Sequence, residues 1–305
     1  MKIYYCKEDE IYFTHPTPND LELQNYYRDT YRNVQKAWQE DAHKSRDLSQ
    51  QQFHFLPHSQ IMYISQHIDL SAINTIIDIG CGKGDFFHEL NKIYNDKKLI
   101  GIEIDKHCND YVKHLNVEMI NKPVELCIDI IINKISNNTL IISSHTLHYQ
   151  RNYDYFIKII DFIKDKDIED VYLFIEVPNA FFPYKDLRSE RVYDVPQLMF
   201  FSTKTFYKIF KIDYYNISTC GWSLQKENEF RQLSLLNYNE RMSKINNFSI
   251  KKVILNLIPR PIKTVLKFIR LFINKKYNLY NYDHKLSYYS YSGARRAIRS
   301  IAKIN

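Results

Sequence analysis

The chain has 305 residues, 45% of them hydrophobic and 15% aromatic, with a formal charge of +7; that suits one large domain with additions, or two small ones, and a sizeable core. Its five cysteines, Cys6, Cys81, Cys108, Cys127 and Cys220, are odd in number and none has a partner at CxxC spacing, which argues against a disulfide framework or a zinc site and for a reducing, cytoplasmic setting. The start, "MKIYYCKEDEIYF", has no apolar stretch of signal-peptide length, and nowhere do roughly 18 apolar residues run on as a membrane span requires.

Residues 1–70 read as an N-terminal cap segment: "HPTPND" as a turn, then "DLELQNYYRDTYRNVQKAW" as a helix with Asp20 as N-cap. Tyr27 and Tyr31 share one face of that helix, placed to cover a ligand or to pack. From Asn74 the pattern alternates between strand and helix. Strands are expected at 75–80, 98–104, 124–128, 139–145 and 171–178. Phe86, Leu90 and Ile93 form one helical stripe between them, and Tyr155, Ile159 and Phe162 another. Near-continuous apolar strands alternating with helices predict an α/β, Rossmann-like parallel sheet covered on both faces. Two further strands, 212–221 and 229–238, are expected to complete a seven-stranded sheet, the last of them antiparallel. The core would span 71–238, with 179–202 as a substrate-side insertion.

The stretch "NTIIDIGCGKGDFF" (74–87) holds three of the six glycines in the chain, Gly80, Gly82 and Gly84. Glycines between a strand and a helix let the backbone approach a ligand. A phosphate loop of the Walker type needs Gly-Lys-Ser/Thr, and "GKGD" lacks the hydroxyl. The dinucleotide fingerprint GxGxxG would put its third glycine at Asp85, whose charge repels a pyrophosphate. A ligand with one carboxylate and one ammonium group suits the loop better. The next strand, in "LIGIEID", ends on Glu103, and an acid there can accept hydrogen bonds from both ribose hydroxyls.

In "IIDIGCGKG", "GIEID" and "LIISSHTLHY", at this spacing over roughly residues 70–238, the chain resembles the class I S-adenosylmethionine-dependent methyltransferases. The resemblance implies S-adenosyl-L-methionine as cofactor and the seven-stranded methyltransferase sheet. It implies cofactor contacts from Asp78, Gly80, Cys81, Gly82, Glu103 and Ile104, with Asp129 near the adenine amino group and Ser144 after the fourth strand. The N-terminal "CKEDEIYFTHPTPNDLELQNYYRDTY", and "IEVPN" followed by an aromatic insertion and "FFS", resemble a subgroup that modifies sugars and surface polysaccharides, with Ser202 capping the following helix. That subgroup carries a zinc-binding cysteine pair where only Cys6 stands here, so no metal is expected. Its C-methylating members carry a Tyr-His-Glu-His type cluster; here Pro196 and Gln197 stand in "YDVPQLMFFS" where strong bases would be needed. Transfer to oxygen or nitrogen of a sugar-containing or polysaccharide-linked acceptor is therefore expected. His148 leads the candidates for a base, followed by His145, Glu176 and Tyr193. The alternatives are an RNA methyltransferase and a catalytically silent, cofactor-binding interaction subunit.

Residues 239–305 read as a basic, helical extension: fifteen Lys and Arg stand against Glu240 and Asp283. In "RPIKTVLKFIRLFINKK", Ile262, Val265, Leu266, Ile269 and Ile273 share one helical face, and Lys263, Lys267 and Arg270 the other. Such a helix over 259–276 could lie on an anionic membrane or simply pack on the core. Nucleic acid would also answer the charge, but no RNA-binding module precedes it.

Overall fold

A computed structural model of the chain describes residues 2–31, 49–178, 197–220 and 297–304. At the N-terminus, strands β1 (Lys2–Cys6) and β2 (Ile11–His15) form an antiparallel hairpin. Helix α1 (Asp20–Asn25) follows, running into a π-helical turn at Tyr26–Thr30. Its cap is Asn19, not Asp20: the Asn19 side chain accepts from the Glu22 amide at 2.9 Å and the Glu22 carboxylate accepts from the Asn19 amide at 2.7 Å. This reciprocal box satisfies two amides that a helix start leaves open. Residues 32–38 of the expected helix lie outside the described residues.

Helix α2 (Ser49–Ile64) leads to the main sheet. In chain order this comprises β3 (Thr75–Ile79), α3 (Asp85–Asn91), β4 (Lys98–Ile102), α4 (Asn109–Val112), β5 (Val117–Ile120), α5 (Ile128–Ile132), β6 (Thr139–Ser144), α6 (Asp154–Asp165) and β7 (Val171–Pro178). Then come β8 (Met199–Phe200), α7 (Thr203–Ile209), β9 (Asp213–Cys220) and, from the end of the chain, β10 (Ala297–Lys303). The strand order is β5-β4-β3-β6-β7-β10-β9. Neighbours from β5 to β7 pair in parallel, while β10 is antiparallel to both β7 and β9. This is the expected α/β sheet of seven strands, mostly parallel with its last strand reversed.

Two elements differ from expectation. The third strand is β5, not 124–128. Val124, Cys127 and Ile131 are buried at spacings of three and four, which is helical; that stretch forms a 3-10 turn at Val124–Leu126 and then α5. The reversed strand is supplied by 297–303 rather than 229–238, which lies outside the described residues. The basic extension therefore ends inside the core sheet. "AIRSIAK" is a short branched-apolar run with Ile298, Ile301 and Ala302 fully buried, and it fits between β7 and β9 because both would otherwise expose open edges.

Alternation along the strands sorts the core into two faces. Ile77, Ile79, Ile141 and Ile175 pack with Phe156 and Ile159 of α6 and Phe206 of α7. Ile76, Ile142, Phe174 and Ile301 pack with Tyr63 and Ile64 of α2 and Phe86 and Leu90 of α3. Ile93 and Phe162 only flank these clusters. The small sheet β1-β2-β8 is tied to the main domain by Leu198, whose carbonyl accepts from the Thr14 amide and whose amide donates to the His148 carbonyl, both at 2.9 Å. Ser202 caps α7 in a box with Thr205. No helix among the described residues is long and apolar enough to cross a membrane, and the amphipathic segment 259–276 lies outside them.

If the end of the chain belongs to the core, Ile301→Ala should destabilise the protein by roughly 2–5 kcal/mol, as for a buried large-to-small change. Leu21→Ala, at a side chain 66% exposed, should change stability by no more than about 0.5 kcal/mol. Urea unfolding of the two variants tests this, and equal midpoints would contradict the assignment of β10.

Candidate functional site

Chain order reverses between β3 and β6, and the carboxyl ends of β3, β4, β6 and β7 meet there, the crevice in which open α/β sheets bind ligands. At the β3 end the three glycines have φ of +77°, +55° and +72°, which L side chains rarely adopt. A Cβ at Gly80 would stand 2.0 Å from Thr146 Oγ1, and one at Gly84 2.3 Å from Val112. At Gly82 it would meet nothing within 4 Å. The middle glycine thus faces open space, while its neighbours are pinned by packing.

The amides of the loop are largely engaged, mostly by the end of β4. Those of Gly80 and Cys81 donate to the Ile102 carbonyl at 2.8 and 3.1 Å, and that of Gly84 to the Cys81 carbonyl at 2.9 Å. The Gly82 amide donates to Glu103 Oε2 at 3.0 Å, and the Asp105 amide to Glu103 Oε1 at 3.0 Å. A phosphate cradle needs free amides, and these four are taken. What the loop presents is acid. Asp78 is 4% exposed and its Oδ1 is buried with no hydrogen-bond partner among the described residues. Burial, reinforced by Glu103 and Asp85, pushes its carboxyl up to about 8. Lys83 of the same loop sits over the Tyr111 ring, 4.7 Å from its centre. Cys81 is buried, its thiol pushed well up by burial and then by Asp78. Ile104 lies partly buried just past β4. Asp129 is exposed on α5, well beyond the end of β5. There Asn121 stands instead, donating to the Glu103 carbonyl at 3.0 Å. The expected role of Asp129 assumed a strand at 124–128 and loses that basis.

A second cluster lies at the ends of β6 and β7. His145 has φ +53°, its amide donates to the Glu176 carbonyl at 2.8 Å, and its Nε2 is 3.2 Å from Glu176 Oε1. Glu176 is 1% exposed. Its Oε2 accepts from Arg299 Nε at 2.6 Å and from Gln60 Nε2 at 3.1 Å. Gln60 also donates to Ser144 Oγ at 2.6 Å, and Arg299 Nη1 to the Ser59 carbonyl at 3.1 Å. Burial alone would raise Glu176, but the Arg299 charge and then His145 hold it down at about 2. An ionised carboxylate only accepts, so Nε2 of neutral His145 carries the proton and Nδ1 keeps the basic pair. The His145 side chain is 39% exposed. His148 differs: it is 1% exposed, its Nδ1 is enclosed without a partner among the described residues, and burial followed by His145 pushes its basicity well down. A ring so enclosed is a poor proton acceptor for an incoming substrate. Tyr27, Tyr31 and Tyr149 cluster beside it, with ring centres 5.4 to 6.0 Å apart. Tyr193 lies outside the described residues.

Sequence reading missed Gln60, Thr146 and Arg299. Gln60 and Thr146 belong to no pattern that marks them. Arg299 sits in a short apolar run that could have been read as a strand.

The glycine geometry separates two substitutions. Gly80→Ala adds both left-handed strain, about 1–2 kcal/mol, and a clash with Thr146, about 1–3 kcal/mol. Gly82→Ala adds only the strain. Thermal or urea unfolding should find Gly80→Ala clearly the less stable; the reverse order would contradict the loop geometry.

No protein-family model matches the chain, and no curated protein matches it in sequence. Among solved structures it is similar to the plantazolicin methyltransferase BpumL in complex with SAH, at 14% identity over 92% of this chain and 93% of that one, TM-score 0.49. It is also similar to coclaurine N-methyltransferase bound to N-methylheliamine and SAH, at 16% identity over 79% of this chain and 70% of that one, TM-score 0.42. A third is the mitomycin 7-O-methyltransferase MmcR, at 14% identity over 55% and 51%, TM-score 0.39. All three scores fall below 0.5, so function is argued from this chain's own residues.

Proposed function

We propose that the chain is an S-adenosylmethionine-dependent methyltransferase that acts on an oxygen or nitrogen acceptor, with His145 as the base. The observation that carries this reading is the acidic glycine loop. Asp78, Glu103 and Asp85 lie together, Asp78 Oδ1 is buried with no partner among the described residues, and the Cβ direction of Gly82 opens onto free space. A buried carboxylate without a partner is costly, so Asp78 holds its proton up to about pH 8, and a cationic ligand favours the ionised form. A pyrophosphate would meet three acids and amides already engaged, so a dinucleotide fits poorly. S-adenosylmethionine fits, being cationic, and when bound it would supply an activated methyl group on a sulfonium.

Glu103 is held by the Gly82 and Asp105 amides, and it retains carboxylate lone pairs for ribose hydroxyls. His145 takes the proton of the acceptor at Nδ1, while Glu176 holds its Nε2–H and steadies the imidazolium that forms. A sugar-containing or polysaccharide-linked acceptor is supported by the sequence resemblance of the N-terminal cap and the 179–202 insertion. Nothing in the solved structures above bears on that choice. A peripheral contact of 259–276 with an anionic membrane or acceptor rests on the sequence alone.

Calorimetric titration should find one S-adenosylmethionine bound per chain and no heat with NAD+; the opposite pattern would refute the reading. His145→Ala should keep cofactor affinity and lose about 10²–10⁴-fold in methyl transfer, followed as S-adenosylhomocysteine release on a panel of nucleotide-sugar and polysaccharide acceptors. Unchanged transfer by the folded variant would remove His145 from the chemistry.

A further inference from the structure

Arg299 reaches the site from β10, formed by the last residues of the chain, and Gln60 reaches it from α2. Both close on one oxygen of Glu176, Oε2, and leave the other, Oε1, to His145. Arg299 stands opposite Glu176 in the β7–β10 register, and Glu176 stands opposite Ser144 in the β6–β7 register. The Arg299 side chain is itself 2% exposed and is braced by the Ser59 carbonyl and by the Tyr63 ring, 6.0 Å from its guanidinium carbon. We infer that Arg299 is the positioning residue of the site: it fixes Glu176 as an acceptor-only carboxylate, and so fixes which nitrogen of His145 carries the proton.

Among the described residues, the charged and titratable groups around Glu176 are Arg299 from β10 and His145 after β6, with His148 behind His145 at 5.9 Å between ring centres. Gln60 and the Ser59 carbonyl from α2 are neutral, so among the described residues Arg299 is the permanent cation that partners this carboxylate. A buried carboxylate without a cation takes up a proton. Once protonated, Glu176 would become a donor. Its hydrogen would then point at His145 Nε2, and the neutral ring would have to carry its own proton on Nδ1. The basic nitrogen would be turned onto Glu176 and away from any acceptor. The strand at the end of the chain thereby decides whether His145 can act as a base, without touching the acceptor itself.

This inference rests on reading His145 as the base. The test is nitrogen-15 NMR of histidine-labelled protein at alkaline pH, where imidazole rings are neutral, with the resonance assigned by His145→Gln. The wild type should show the Nε2–H tautomer. Arg299→Met should move the proton to Nδ1, and Arg299→Lys, which keeps a cation, should restore Nε2–H. Nδ1–H in the wild type would overturn the inference and needs no variant to be seen. So would an unchanged Nε2–H signal in folded Arg299→Met. Titration with S-adenosylmethionine on the same samples keeps the two claims apart, because failure to bind it defeats the methyltransferase reading and leaves the tautomer result standing.

Discussion

The buried ion pair between Glu176 and Arg299, at 2.6 Å with both side chains 2% exposed, is the constraint on which the architecture of the site depends. A charge taken out of water must be paired and hydrogen-bonded, and removing one partner of such a pair costs about 3–5 kcal/mol. That requirement holds β10 beside β7 although more than a hundred residues separate them in the chain. It also draws Gln60 and Ser59 of α2 over the sheet. Because Glu176 is depressed from 4.5 to about 2, its contribution to stability is full at neutral pH and fades as pH falls from 4.5 through 2. The residues that stabilise this end of the sheet are therefore the same ones that hold His145.

The two ends of the crevice are electrostatically different, and the difference divides the work. At the β3 and β4 ends Asp78, Glu103 and Asp85 lie together, and Asp78 Oδ1 has no partner among the described residues. At the β6 and β7 ends the acid is fully matched, by Arg299, Gln60 and His145. An unsatisfied acidic pocket waits for a cationic ligand; a satisfied one orients a neighbour. Thr146 joins the two ends, since its hydroxyl lies against Gly80 and donates to the Ser144 carbonyl at 3.2 Å. A change at either cluster would be felt at the other through that contact.

Much of this was legible in the sequence because it is local. The strand "TIIDI", the glycines after it and Glu103 at the end of the next strand need only periodicity and spacing to be recognised. Asn19 was missed as a cap because Asp20 beside it has the same chemistry, and the box with Glu22 decides between them. The third strand was misplaced because a short apolar run such as "VELCI" suits strand and helix alike, and burial at 124, 127 and 131 settles it. The choice between His148 and His145 is of another kind. Both follow the same strand, and only burial and the reach of Glu176 distinguish them. Arg299 was out of reach altogether, since no local pattern shows which distant strand it will face.

The central claim is that the acidic loop receives a cation, and the pH dependence of cofactor binding tests it most directly. Burial, reinforced by Glu103 and Asp85, pushes the Asp78 carboxyl up to about 8, so below that pH a cationic ligand must displace a proton to meet the carboxylate. Affinity for S-adenosylmethionine should therefore rise with pH, by up to about tenfold per unit, and level off above 8. Asp78→Asn cannot ionise and should bind more weakly without that rise; the ratio of the two affinities cancels the ligand's own titration. A ratio that grows with pH up to about 8 and then flattens is the predicted result. A ratio that stays constant from pH 6 to 9 would contradict the account.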